Sequence, residues 1–545
     1  MFADSPFAVV DAFASVLWLA ANVLLVFAAV RVAERIFPED HGANKVLNVS
    51  VLAISILTVV LLLLGAASIL SGASMLGCVL AVSLILLWRI RKRDIANLQG
   101  SETTGVTGIT SFWLLLTGLL CGHCLVNGLL KLPTDYDCLM YHLPMVDAWM
   151  QAGSFYAPDC SHWSNPSGSE LLALWCCGPF SGDFLAPLNN LPVVVVWASA
   201  TLQFCRLLGM TQRWPELATI SALSIYTLLH ETDDASNDLM VVAFFMAANV
   251  YVMRLFAAHE ARVLVMIGLC LGLLAGVKYF ALGYAAVTWS TMLAGLVVST
   301  KNRLAVRAGI LTAAISLLVG GYWYLRNTVY TGLPMYPMGD ATSLAYPNLW
   351  TTALIGNPDP ELWPLYFDAV WNACGPIHWI AALILPVTLL GLISRTSVNQ
   401  ISDVERLPVR RISAALLLLG SAAVLCVTPY LVEDQPGSLN HLRWAYTPSR
   451  YGLCFSTLSV VCLFAVLNNL SMKLPTRIRV AVYVSFVACL AVQIAMRVQS
   501  HRHEFSHLES LLAGIDIGVI LIGLRWLFQS QTKLPWRLAA IAVLV

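Results

Sequence analysis

Long apolar runs recur along this chain, separated by short polar stretches. They lie at about 11–32, 48–70, 74–89, 109–131, 184–207, 215–229, 239–257, 263–277, 279–299, 306–325, 376–394, 412–431, 449–470, 478–497 and 511–528. Most approach or exceed the roughly 20 residues that cross a bilayer as a helix. The pattern predicts an all-α polytopic membrane protein, a multi-span helical bundle of about 14–16 transmembrane helices with short interfacial helices. The apolar core of 169–181 is too short to span and is expected to lie in or on the outer leaflet.

Composition agrees: 59% of the 545 residues are hydrophobic and 11% charged, against roughly 25% charged in soluble proteins. A net charge of +1 gives no bulk attraction for nucleic acid. The fourteen Cys fall mostly in apolar runs, where Cys packs as a small hydrophobe. The first run is long and followed by Arg31 and Arg35, which fits a retained span rather than a cleaved leader.

Basic residues set the orientation. Arg31, Arg35 and Lys45, then Arg89, Arg91, Lys92 and Arg93, then Arg206, Arg213, Arg254, Arg262, Lys301, Arg303 and Arg307 all fall on one side, read as cytoplasmic. The opposite segments, 132–183, 230–238, 326–375, 432–448 and 498–510, are rich in Asp, His, Trp, Tyr and Pro. The chemistry is therefore expected on the extracytoplasmic face of a plasma membrane, a bacterial inner membrane by the resemblance below.

Chemistry-bearing residues concentrate in these segments. The first holds Asp135, Asp137, Tyr141 and His142 in one string; the second holds Glu231, Asp233, Asp234, Asn237 and Asp238. A carboxylate at such a mouth suits proton abstraction from a hydroxyl, and a solvated, capped loop is the plainer reading. Two acidic loops are also suited to hold a divalent metal (Mg, Mn or Ca) through oxygen ligands, Asp137 and Asp238 foremost. Lys278 interrupts two short apolar runs, where an uncompensated cation is costly and must face a cavity or the surface. Arg326 ends a span beside aromatics and suits a phosphate oxygen. Two formal motifs point elsewhere. His503-Glu504-Phe505-Ser506-His507 has the zinc-protease spacing, and Cys121-Gly122-His123-Cys124 the redox spacing. The first needs a helix carrying both His on one face and a third ligand, with His501 and Glu509 alongside, and the second sits in an apolar run where packing suffices.

Taken in order, these strings resemble bacterial GT-C glycosyltransferases that use polyprenyl-phosphate sugars. Asp137 followed by Tyr141-His142-Leu143-Pro144, then Trp149 and Gly153-Ser154, is similar to their first periplasmic loop. Pro166-Ser167-Gly168-Ser169-Glu170, Asn237-Asp238-Leu239, Gly276-Val277-Lys278 and Trp323-Tyr324-Leu325-Arg326-Asn327 through Tyr336-Pro337 are similar to later family strings. The likeness implies a GT-C-like bundle with its catalytic core in 101–340, first outer loop 132–183, three unassigned spans in 1–100, and an outer loop 341–375 with further spans in 341–545. It implies transfer of a sugar, with inversion, to an acceptor hydroxyl on a cell-envelope glycan, lipid or protein. Asp137 would be the base, with Asp135 and Asp238 positioning the site or a metal. Tyr141, His142 and Tyr336 would contact substrate. Lys278, Arg326 and Arg443 or Arg450 would neutralise the phosphate; Arg443-Trp444 and Arg450-Tyr451 match the family's R-Y equally. The rival class is a transporter or flippase, which would place ionisable groups at mid-span.

Overall fold

A computed structural model describes residues 12–90, nearly all of 117–338, and 363–394, 407–428 and 447–471. They form helices and the turns between them, with no β-strand among the described residues. Nine of those helices are long and apolar enough to cross a membrane, or ten if the pair Pro376–Leu383 and Leu385–Ile393, bent by 64°, is one span. The chain is an all-α polytopic membrane protein. One continuous apolar core runs through these helices, from Ala21 to Val466.

The first three spans are α1 (Ala12–Ile36), α2 (Ala43–Ala66) and α3 (Gly72–Arg89). Ser71 caps α3: its hydroxyl accepts from Ser74 N, while the Ser74 hydroxyl accepts from Ser71 N, a reciprocal capping box. The first polar loop carries α4 (Leu143–Ala152) and α5 (Glu170–Cys177). All eight residues of α5 are buried in the protein, so this short apolar piece packs inside the bundle. Next come α6 (Leu191–Leu207), α7 (Trp214–Leu223) and α8 (Tyr226–His230).

Sequence predicts one span over 215–229, and the structure breaks it in two. The Ser224 hydroxyl turns back to the Ser221 carbonyl at 2.7 Å, and Ile225 is extended. Such local hydroxyl bonds compete with helix continuation.

The core then holds α9 (Asp238–Ala258), α10 (Val263–Ala275), α11 (Ala281–Val298), α12 (Asn302–Gly320) and α13 (Tyr322–Thr331). At 1.5 Å per residue α10 is only about 20 Å long, short of the roughly 30 Å hydrocarbon layer; the expected span at 263–277 is a buried partial one. What fixes it is contact with α12. A Cβ on Gly320 would lie 2.2 Å from the Gly272 carbonyl oxygen, and one on Gly272 would lie 2.9 Å from the Ser316 oxygen. Small residues at this four-residue spacing let two helix backbones touch. The remaining described helices are α14 (Trp363–Cys374), α15 (Pro376–Leu383), α16 (Leu385–Ile393), α17 (Leu407–Val427), α18 (Thr447–Tyr451) and α19 (Leu453–Ser471). The runs expected at 478–497 and 511–528 lie outside the described residues, as does much of 109–131.

Candidate active site

The chain after Asp135 enters a π-helical turn, Cys138–His142, before α4. Such wide turns are frequent at functional sites. Pro144 follows in the first turn of α4, where its missing N–H costs nothing. Asp137, Tyr141 and His142 thus leave a short rigid element.

A second loop meets the first. Asn190, buried at the start of α6, donates to the carbonyls of Glu231, Asp234 and Ser236 at 2.7–2.9 Å. The Ser236 hydroxyl donates to Asp135 Oδ2 at 3.0 Å, and Asp135 N donates to Asp234 Oδ2 at 2.9 Å. Asp135 therefore stitches the two loops together, and Glu231 Oε2 accepts from Leu239 N at the start of α9. Burial, reinforced by Asp238, raises the Glu231 carboxyl well above the ordinary range.

Asp238, first residue of α9 and 1% exposed, is the hub. Its Oδ1 accepts from Lys278 Nζ at 2.6 Å and its Oδ2 from Arg450 Nε at 2.7 Å. Arg450 Nη1 also donates to Asp137 Oδ2 at 2.8 Å. Two carboxylates and two cations from four separate segments form one charge-balanced cluster. Lys278 is placed there because α10 stops at Gly276, against which the first loop docks: Gly168 N donates to the Gly276 carbonyl at 2.7 Å. A Cβ on Gly168 would lie 2.8 Å from that oxygen.

Burial opposes the charge on Asp137, but Arg450 and Lys278 outweigh it and hold the carboxyl below its usual range. Tyr141 packs against two imidazoles, its centroid 4.1 Å from His142 and 4.6 Å from His162. Burial and then Asp137 raise its phenol well above the ordinary value, so the hydroxyl stays protonated as a donor. His142 is fully buried, and its Nδ1 meets Glu170 Oε1 at 2.6 Å; Ser169 Oγ donates to Glu170 Oε2 at 2.7 Å. Nδ1 and Glu170 Oε1 thus share a hydrogen bond, and Nε2 has no hydrogen-bond partner among the described residues.

The structure brings together Asp137, Asp238, Lys278 and Arg450, with Tyr141 and His142 beside them. It does not bring Arg326 into that cluster. Arg326, 3% exposed, donates to the carbonyls of Phe155 and Asn165 and to Asn327 Oδ1. Its guanidinium faces the rings of Trp163 and Trp323. Tyr336 takes part through its backbone, its carbonyl accepting from Tyr279 OH at 2.6 Å. Arg443 lies outside the described residues, as do His503, Glu504 and His507. Cys124 donates to the Thr232 carbonyl and is a packed thiol. Sequence reading singled out neither the Glu170–His142 pair nor Asn190 or His162. Glu170 and His142 are 28 residues apart, and nothing local marks them as partners.

Of the carboxylate oxygens expected to hold a divalent ion, both of Asp238 and Oδ2 of Asp137 accept from Lys278 or Arg450. Among the described residues no group of three or more His, Cys, Asp or Glu is gathered there. No protein-family model matches this sequence, and no curated protein matches it either.

Proposed function

We propose that this chain is a membrane glycosyltransferase of GT-C type, moving a sugar from a polyprenyl-phosphate donor to an acceptor hydroxyl, with inversion, at this end of the bundle. The observation that carries the proposal is the four-segment cluster: a proton acceptor and two cations suited to phosphate meet at a span's end, where a lipid headgroup would arrive. The reaction needs those parts. Asp137 takes the proton of the acceptor hydroxyl as its oxygen bonds to the anomeric carbon. The bond from that carbon to the phosphate oxygen breaks, and the phosphate leaves with the electron pair. Arg450 and Lys278 stabilise charge where it develops, usually the main source of rate acceleration in such reactions. Asp238 positions both cations, and the Tyr141 hydroxyl supplies a neutral donor. Arg326, with its donors taken by carbonyls, we assign to holding the first loop rather than to the phosphate.

In this reading the active site faces the periplasm or exterior, the donor comes from the membrane, and the acceptor is a cell-envelope glycan, lipid or protein. The test is transfer by purified protein from a labelled polyprenyl-phosphate sugar. Asp137→Asn should lower turnover by about a hundredfold to ten-thousandfold while the protein stays folded and melts only slightly earlier than wild type. Turnover close to that of wild type would remove Asp137 as the base.

The second reading, a transporter or flippase of lipid-linked substrates, draws on the broken helix before Lys278 and on the 64° bend between α15 and α16. Substrate-dependent movement of labelled lipid across vesicles, without sugar transfer, would favour it.

A further inference from the structure

Arg450 cannot give the same N–H to Asp137 and to a phosphate. Its Nε goes to Asp238 and its Nη1 to Asp137; among the described residues its Nη2 donates to no group. Lys278 likewise uses one of its three donors, on Asp238. Both cations therefore keep donors for an anion. Their partners differ in depth: the Asp238 side chain is 1% exposed, the Asp137 side chain 17%. Asp238 is fixed from two sides, whereas Asp137 holds on by one bond at the outer rim. An arriving oxyanion would meet Nη2 first. The guanidinium fork favours two parallel bonds to one anion; of the two N–H groups on Nη1, such an anion needs the one parallel to Nη2, and in taking it competes with Asp137 for that nitrogen.

We propose that a phosphate headgroup displaces Asp137 from Arg450, so that donor binding itself frees the carboxylate to accept the acceptor's proton. This rests on the glycosyltransferase reading and adds an order to it: donor first, base released, acceptor activated. Until then Asp137 occupies the phosphate's place and is a weak base, since its charge is already neutralised. The enzyme thereby distinguishes a lipid phosphate from an uncharged lipid twice, once in binding and once in arming.

The consequence runs against the usual effect of mutating a site residue. A carboxylate that competes with the ligand weakens binding, so removing its charge should tighten it. The probe is farnesyl phosphate, measured on full-length protein in nanodiscs, with farnesol and inorganic phosphate as controls. Asp137→Asn should bind farnesyl phosphate about fivefold more tightly than wild type, the worth of one partly exposed ion pair. Asp137→Ala should shift the same way, and Arg450→Gln should bind more weakly than wild type. Farnesol should bind wild type and Asp137→Asn alike. Inorganic phosphate should show the same ratio at lower affinity; if it binds as tightly as farnesyl phosphate, the displacing ligand is a free anion and the lipid headgroup is ruled out. If wild type binds farnesyl phosphate and both folded Asp137 variants bind it equally or less well, the displacement is wrong while the transferase reading stands. If no form binds it, both fall together.

Discussion

The two ends of α9 carry two charged networks about 24 Å apart, roughly sixteen residues at 1.5 Å each, and they are built differently. At the Arg254 end, the guanidinium grips Asp40 with two bonds, 2.7 and 3.1 Å, and lies over Phe37. Asn48 donates to Asp40 and accepts from Tyr251 OH. Arg262 bonds to Glu39, Glu260 and the Ile36 carbonyl. This network ties the α1–α2 turn to the α9–α10 turn, and both Asp40 oxygens are used. At the Asp238 end, Arg450 divides itself between two carboxylates and, among the described residues, leaves Nη2 open. Nearby, the buried Nε2 of His142 has no partner among those residues. Similar charges serve different ends. A network that closes on itself stabilises, and one that leaves donors open is ready to exchange partners.

Arg450→Gln should break the contrast most severely. It strands the buried Asp238 with one partner, and breaking such a pair costs about 3 kcal/mol or more, so both melting temperature and transfer should fall. Arg254→Gln should lower stability by a smaller amount, about 2 kcal/mol at this partly exposed site, with turnover per folded molecule unchanged. A loss of turnover without a loss of stability there would mean that the Arg254 end is not merely structural. Gly320→Ala drives a methyl into the Gly272 carbonyl; overpacking of this kind costs about 1–3 kcal/mol, and because the α10–α12 seam sets where Lys278 emerges, transfer should drop beyond what unfolding explains.

The smallest effect concerns pH. The folded carboxyl of Asp137 is held below its unfolded value, so its contribution is fully present above the unfolded value and is lost as pH falls through the lower, folded one. Wild type should therefore shed this part of its stability only below the ordinary carboxylate range of about 4. In Arg450→Gln the depression is relieved, so this acid-dependent loss should shrink. Identical acid-melting curves for the two proteins would show that Arg450 does not govern Asp137.

Much of the site was legible in the sequence because charge is expensive beside apolar runs. Asp137, Asp238, Lys278 and Arg450 each stand where a span meets a polar loop, and each belongs to the cluster. The sequence left Arg443 and Arg450 equal; the structure puts Arg450 on the two carboxylates. Arg326 looked the same as these from sequence, since a string cannot tell a guanidinium aimed at ligand from one satisfied by carbonyls. The span count was less legible. Apolar length alone does not reveal that Ser224 breaks 215–229 or that Gly276 ends α10 early. The four-residue spacing of Gly268, Gly272 and Gly276 was written in the chain, but its meaning depends on Gly320, which only folding brings opposite. The Glu170–His142 pair is likewise a product of tertiary contact, latched by Gly168 on Gly276.

The most direct test compares one isosteric change at each end of α9. Asp137→Asn and Asp40→Asn are prepared in parallel, and transfer from a polyprenyl-phosphate sugar is measured beside thermal melting. Asp137→Asn should lose transfer by about a hundredfold or more with no more than the small drop in melting temperature that one partly exposed ion pair is worth, and Asp40→Asn should melt clearly earlier with its transfer per folded molecule intact. If Asp137→Asn transfers normally, or if Asp40→Asn is the inactive one while both stay folded, the open cluster around Arg450 is not the active site.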